Sequence, residues 1–178
     1  MSSMNHEPSF RLAKDEDLQP LSEFARQTFA QAFGDDMDST VLADHLQEHM
    51  SDEVFAAHMQ EDLFLLSHEQ GVLVGFVQVG TVSTDYAGYV DAFDAQASEI
   101  KRLYVLSIHQ GSGLGSALLT AGLQAAKPSH CVYLTTWEAN LGAQRLYQRF
   151  GFAKVGQIPE YDPNGEMNGY EYIMQRPA

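Results

Sequence analysis

A string of glycines placed between a strand and a helix constrains this chain more than any other feature. Gln110-Gly111-Ser112-Gly113-Leu114-Gly115-Ser116 follows the alternating stretch Ser98–Val105 and leads into an apolar helical stretch, Gly113–Ala126. Glycines let backbone N–H groups turn inward and approach an anion closely. A helix start adds unpaired N–H groups and a partial positive charge. Together these make a phosphate cradle. A Walker loop needs Gly-x-x-x-x-Gly-Lys-Ser/Thr, and the chain contains no such string. A dinucleotide fingerprint needs a third glycine where Ser116 stands, and an acid about 20 residues on; the first acid downstream is Glu138.

Charge supports the same stretch. The 178 residues carry 10 Lys+Arg against 24 Asp+Glu, a net charge of −14. From Ile100 to Trp137 there is neither Asp nor Glu, while Lys101, Arg102 and Lys127 are present. A strongly acidic chain is clear of acid where a phosphate would bind; the plainer alternative is a glycine-rich turn with chance charge spacing. The overall charge argues against a nucleic-acid binder, whose affinity rests on basic side chains at phosphates. It favours a cationic small substrate, or simply solubility. Cys131 is the only cysteine, so an internal disulfide and a zinc–thiolate cluster are both out of reach, and a reducing compartment is expected. No apolar run approaches the roughly 20 residues of a membrane helix. Met1–Glu7 lacks the basic start and apolar stretch of a secretory signal, so a cytoplasmic location is expected.

Length and the absence of repeats or linkers point to one domain over 1–178. A short strand is expected around Phe10–Ala13, then a helix with Asp15 as N-cap and Gly34 at its end. A second helical stretch starts near Ser39 and restarts near Ser51, running to about Met59. Leu63–Ser67 and Val72–Val79 read as a hairpin across Glu69-Gln70-Gly71. Residues 83 to 98 read as a long loop. Cys131–Thr135 is a short buried strand, Asn140–Phe150 a helix stopped by Gly151, and Lys154–Gln157 with Tyr170–Met174 two final strands. The pattern is mixed α/β: an antiparallel front and a strand–helix–strand unit behind.

Two motifs resemble a known family. Gln110-x-x-Gly113-x-Gly115, preceded by Leu103-Tyr104-Val105, is similar to motif A of the GNAT superfamily of N-acetyltransferases. Trp137-x-x-Asn140-x-x-Ala143-x-x-Leu146-Tyr147-x-x-Phe150-Gly151-Phe152 resembles its motif B. The likeness is strong over about 99–152. It implies an α/β (α+β) GNAT fold, a mixed, mostly antiparallel sheet of six to seven strands flanked by about four helices. It implies acetyl-CoA as co-substrate and no metal. Its diphosphate would rest on the amides of Gln110, Gly111, Ser112, Gly113, Leu114 and Gly115, with Ser116 at the helix start. Its pantetheine arm would lie along the backbone of Leu103, Tyr104 and Val105, in contact with Asn140. Ser107 stands where the family commonly has proline. The resemblance leans toward bacterial enzymes that acetylate polyamines or similar amines. The acceptor is thus a small-molecule or protein amine, with no nucleic acid or membrane partner, and homodimers are common in the family.

Amide formation from an amine and a thioester needs a neutral amine held in attack geometry and a protonated leaving thiol. Tyr147 matches the family tyrosine that acts as general acid toward the CoA sulfur. It lies seven residues, or two helical turns, beyond Asn140, which puts both on one side of the helix. The alternative is a core tyrosine beside Leu146 and Phe150. Glu99 opens the strand before the glycine loop, where family members often carry a base acting through water. A plain ion pair with Lys101, on the same face by alternation, is the competing reading. Asp85, Asp91 and Asp94, beside Tyr86 and Tyr89, are either an amine-attracting patch or a solvated loop.

Other patterns point to different chemistry. His45-Leu46-Gln47-Glu48-His49 matches the His-x-x-Glu-His pattern of inverted zincins, so a zinc-dependent hydrolase using His45, Glu48 and His49 is a third hypothesis. It lacks a third ligand. A non-catalytic acyl-CoA sensor, which keeps the loop without turnover, is the second. Cys131 sits in an apolar strand and reads as packing rather than nucleophile.

Overall fold

The computed structural model describes residues 9–178 apart from Asp36, Ser129 and Pro163. The leader reading of Met1–Glu7 therefore lies outside the described residues. Among the described residues no helix is long and apolar enough to cross a membrane. The chain forms two compact units, one of the residues up to Gln78 with Arg102–Ala121, the other of Val79–Lys101 with Gly122–Ala178.

The first unit begins with β1 (Phe10–Leu12), α1 (Leu18–Phe33), α2 (Ser39–Met50) and α3 (Asp52–Glu61). Ser51 separates α2 from α3 because its hydroxyl accepts the Val54 N–H and starts a new helix. Asp15 does not cap α1. It lies in a 3-10 turn, and Asp17 is the residue before the helix. Its carboxylate is occupied instead by Arg11, at 2.6 and 2.7 Å, and by the Lys14 N–H. The hairpin is β2 (Leu63–Glu69) and β3 (Val72–Thr81). Gln70 (φ 51°) and Gly71 (φ 82°) are both left-handed, as a two-residue turn between twisted antiparallel strands requires. Leu21, Phe24, Met50, Phe55, Phe64, Leu66 and Phe76 form the core here. Phe76 meets Phe24, Phe55, Phe64 and Tyr104 with ring centroids 5.3 to 6.4 Å apart. Each buried ring of this kind contributes about 2 to 3 kcal/mol.

The sheet order is β1-β2-β3-β4-β5-β7-β6, with β4 at Ser98–Val105, β5 at Val132–Trp137, β6 at Ala153–Tyr161 and β7 at Met167–Arg176. β3 and β4 each contribute residues to both units. β5 runs parallel to β4, with Ser98 opposite Val132 and Glu99 opposite Tyr133. Parallel neighbours need a crossover, and the glycine loop with α4 (Leu114–Ala125) is that crossover. β7 pairs antiparallel with β5 and with β6. In the second unit Val82, Tyr86, Ala97, Tyr133 and Ile173 form the core, and α5 (Leu141–Arg149) precedes β6. The described residues thus form a mixed sheet of seven strands with helices α1 to α5 between them, the mixed α/β architecture expected, and Ser51 divides α2 from α3 where the sequence suggested a restart.

The last two strands are longer than their composition suggests. Pro159 sits in β6, an edge strand, where a missing N–H costs no ladder bond. Gly156 lies at a register shift, and a Cβ there would collide with the Tyr89 carbonyl oxygen. Gly156→Ala is therefore expected to destabilise the protein by about 2 kcal/mol, as overpacking against backbone does. A denaturant midpoint equal to that of the parent would contradict this.

Candidate functional site

The first unit carries the glycine loop. A short 3-10 turn, Ser107–His109, carries the chain from β4 into Gln110. Gly111 (φ 78°) and Gly113 (φ 93°) then take left-handed conformations that a side chain disfavours. A Cβ on either would meet nothing within 4 Å, so the space in front of the loop is open. Three loop amides are committed internally. Gln110 N–H donates to Ser107 O (3.1 Å), Ser112 N–H to His109 O (3.3 Å) and Leu114 N–H to Ser112 Oγ (3.4 Å). The amides of Gly111, Gly113, Gly115 and Ser116 have no such partner among the described residues. The last two lie in the first turn of α4, where no helical acceptor precedes them. Loop amides without internal partners, with the positive end of a helix, suit a diphosphate.

Leu103, Tyr104 and Val105 form the end of β4 in the same unit, half-buried. Tyr104 packs its ring edge-on to Phe76 at 5.3 Å. Of the bases that make this stretch electropositive, Arg102 is engaged away from the loop. Its guanidinium donates to Gln78 Oε1 (2.6 Å) and His49 O (2.9 Å), sits 3.1 Å from His58 Nδ1, and stacks over Phe55. It ties α2, α3 and β3 together.

The second unit carries Glu99, Asn140 and Tyr147. Glu99 is buried, 6% exposed. Its Oε1 accepts the Tyr86 hydroxyl at 2.5 Å and its Oε2 accepts the Ser83 N–H at 2.9 Å. Tyr86 lies in a 3-10 turn (Thr84–Gly88) within the stretch expected to be plain loop. Burial, then the neighbouring Glu99 carboxylate, pushes the Tyr86 hydroxyl far above the usual phenol range, so it remains a donor. Burial pushes the Glu171 carboxyl up, Thr135 opposes this, and Glu160 adds to it. Sequence reasoning did not find Thr135 or Glu171. Nothing in their spacing marks them, since they come to share a sheet face with Glu99 only through the register of β4, β5 and β7.

Asn140 is the N-cap of α5, and its Oδ1 accepts the Ala143 N–H at 3.1 Å. The side-chain amide N–H₂ is the part that can serve a ligand. Tyr147 is buried, 8% exposed, with its ring edge-on to Phe152 at 6.0 Å. Its main-chain oxygen accepts from both Phe150 and Phe152, which fixes the end of the helix.

The acidic loop residues divide. Asp94 pairs with His130 Nδ1 at 3.0 Å and caps Gln96 N–H, and these bonds hold its carboxyl below the ordinary range. Asp85 bonds Ser83, and Asp91 is exposed. His45 stacks on Phe29 at 4.5 Å, with the His49 ring 4.6 Å away. Among the described residues there is no grouping of three or more His, Cys, Asp or Glu side chains arranged to hold a metal. Cys131 is half-buried and accepts from Gln175 Nε2 at 3.3 Å; burial raises its thiol.

Comparisons with known proteins agree on one family. The profile of the Acetyltransferase (GNAT) family matches residues 21–152. Over 100 residues the chain is 36% identical to the spermine/spermidine N(1)-acetyltransferase of Bacillus subtilis (strain 168), covering 54% of this chain and 61% of that protein. It is 28% identical over 115 residues to the N-alpha-acetyltransferase MAK3 of Arabidopsis thaliana, covering 62% of this chain and 55% of that one. The chain thus spans about three fifths of the length of these curated relatives. Among solved structures, the paia N-acetyltransferase from Thermoplasma acidophilum in complex with coenzyme A shares the fold, with a TM-score of 0.72, 19% identity and full coverage of both chains. The yncA protein of Salmonella typhimurium, described as a putative acetyltransferase with its cofactor acetyl-CoA, gives 0.62 at 20% identity, covering 96% of this chain and 93% of that one.

Proposed function

Because the chain belongs to the GNAT acetyltransferase family, we propose that it transfers the acetyl group of acetyl-CoA directly to a primary amine, with both substrates bound together. The observation that carries this reading is the glycine loop, with two left-handed glycines, open space in front of them and a helix start behind. The residues fit the donor. The amides of Gly111, Gly113, Gly115 and Ser116 would hold the diphosphate, joined by those of Gln110, Ser112 and Leu114 as they exchange their internal bonds. The main chain of Leu103–Val105 would align the pantetheine arm, and the Asn140 amide would donate to it. Acetyl-CoA, when bound, supplies the thioester carbon.

The chain's own residues manage the protons. An alkylamine of pKa about 10 is an ammonium at neutral pH and has no lone pair to attack with. Glu99 takes its proton through water, and Tyr147 gives one to the departing sulfur. The acceptor class we infer is polycationic. A net charge of −14 concentrates such molecules near the surface, and the Bacillus subtilis relatives bear the name of spermine and spermidine acetyltransferases.

A panel of amines supplied with acetyl-CoA, read by free thiol release, tests both parts. Spermine and spermidine are expected to release thiol faster than an aminoglycoside or a peptide amine. Tight coenzyme A binding with no thiol released by any amine would establish an acyl-CoA sensor instead.

A further inference from the structure

The stretch that is free of acid in sequence is met in space by an acid from elsewhere in the chain. Glu69, the last residue of β2, brings its Oε2 to 3.4 Å from Nε2 of His109, the residue before Gln110. The sheet accounts for the meeting. Leu106, just past β4, donates its N–H to Val74 O of β3 at 3.0 Å, so the β2–β3 turn lies alongside the 3-10 turn Ser107–His109. The His109 side chain is 22% exposed and that of Glu69 60%. On charge alone Glu69 is misplaced, because a carboxylate near an anion site opposes the anion. His109, however, is the hub of the loop's internal bonds. Its N–H donates to Leu106 O at 2.9 Å, and its carbonyl accepts the Ser112 N–H at 3.3 Å and the Ser112 hydroxyl at 2.6 Å. Ser112 Oγ in turn accepts the Leu114 N–H at 3.4 Å. The left-handed Gly111 and Gly113 lie between these fixed points. Glycine has the most backbone freedom to lose on ordering, so anchoring the frame around it lowers the entropic cost of closing on a ligand.

We propose that Glu69 is a positioning residue for coenzyme A: it tethers the His109 imidazole to the β2–β3 hairpin and, through the His109 main chain, presets the loop whose amides take the diphosphate. Neither side chain touches the ligand. The tether acts on binding and leaves the chemical step alone. It rests on the reading of the glycine loop as the diphosphate site.

Tether and simple electrostatics predict opposite signs for one substitution. Glu69→Gln removes the charge and keeps the shape. If only charge matters, coenzyme A binds more tightly; if the tether matters, it binds about threefold more weakly, the scale of an exposed ion pair. The test is titration calorimetry with coenzyme A on the parent, Glu69→Gln, His109→Gln and the double variant. Each single change is expected to weaken binding about threefold, and the double no further, because both remove the same contact. KM for acetyl-CoA rises in step, while kcat at saturating acetyl-CoA stays at the parent value. Without ligand, the Ser112 and Leu114 amides, which the frame protects, exchange their hydrogens faster in all three variants. Equal or tighter binding by Glu69→Gln overturns the tether, and if His109→Gln alone weakens binding, the imidazole contacts the ligand directly. Weaker binding with amide exchange unchanged overturns it as well. If the parent itself does not bind coenzyme A, the loop reading falls and the tether with it.

Discussion

The Gly113→Val protein is expected to bind acetyl-CoA about a hundredfold more weakly than the parent while remaining folded. Gly113 sits at φ 93°, where a β-branched residue is strained by roughly 1 to 2 kcal/mol. Nothing lies within 4 Å of the new Cβ, so the strain is relieved locally, by rotating the peptide rather than by disturbing the core. That rotation turns an amide away from the diphosphate. Charge-assisted bonds of this kind are worth about 1.5 to 3 kcal/mol each, and the loss of one with its neighbour misaligned reaches the ~2.7 kcal/mol of a hundredfold change. Gly111→Val, at φ 78°, is expected to behave alike. Titration calorimetry with coenzyme A measures the effect, and circular dichroism checks the fold. Undiminished binding by a folded Gly113→Val protein would remove the loop from the site and the proposed function with it.

The features legible in the sequence were those whose causes are local. A glycine string between a strand and a helix has one main physical use, and the crossover from β4 to β5 gives it its place. The break at Ser51 and the turn at Gln70-Gly71 likewise follow from the residues at those positions. What stayed hidden depends on partners distant in sequence. Arg102 counts as a free base beside the loop until Gln78, His58 and the His49 carbonyl, 24 to 53 residues away, are seen to claim it. Asp15 looked like a cap because it precedes an apolar repeat, yet Arg11 makes Asp17 the acid that matters there. Glu99 has competing readings in sequence, base or ion pair. The structure supplies a third fact: its carboxylate accepts from the Ser83 N–H and the Tyr86 hydroxyl of the segment that precedes β4. The strand expected over Lys154–Gln157 runs on through Pro159, which the edge position of β6 permits, and the close approach of Tyr89 explains the glycine at 156.

Tyr147→Phe is expected to lower kcat about a hundredfold, within the range of a lost general acid, and to leave KM for both substrates near its parent value. The substitution removes one oxygen. The ring stays edge-on to Phe152, and the main-chain bonds that end α5 do not involve the side chain, so stability should change by no more than about 1 kcal/mol. What is lost acts late in the reaction. A departing thiolate needs its proton only as the carbon–sulfur bond breaks, so the hydroxyl contributes to the transition state and not to substrate binding. This makes a second, sharper expectation. A thioester whose leaving thiol is more acidic needs less protonation, so the variant should approach the parent rate with such a donor and lag behind it with acetyl-CoA. A mere packing role would slow both donors equally. An unchanged kcat with acetyl-CoA would assign the proton to water, and unchanged coenzyme A binding without turnover in parent and variant alike is the outcome a sensor demands.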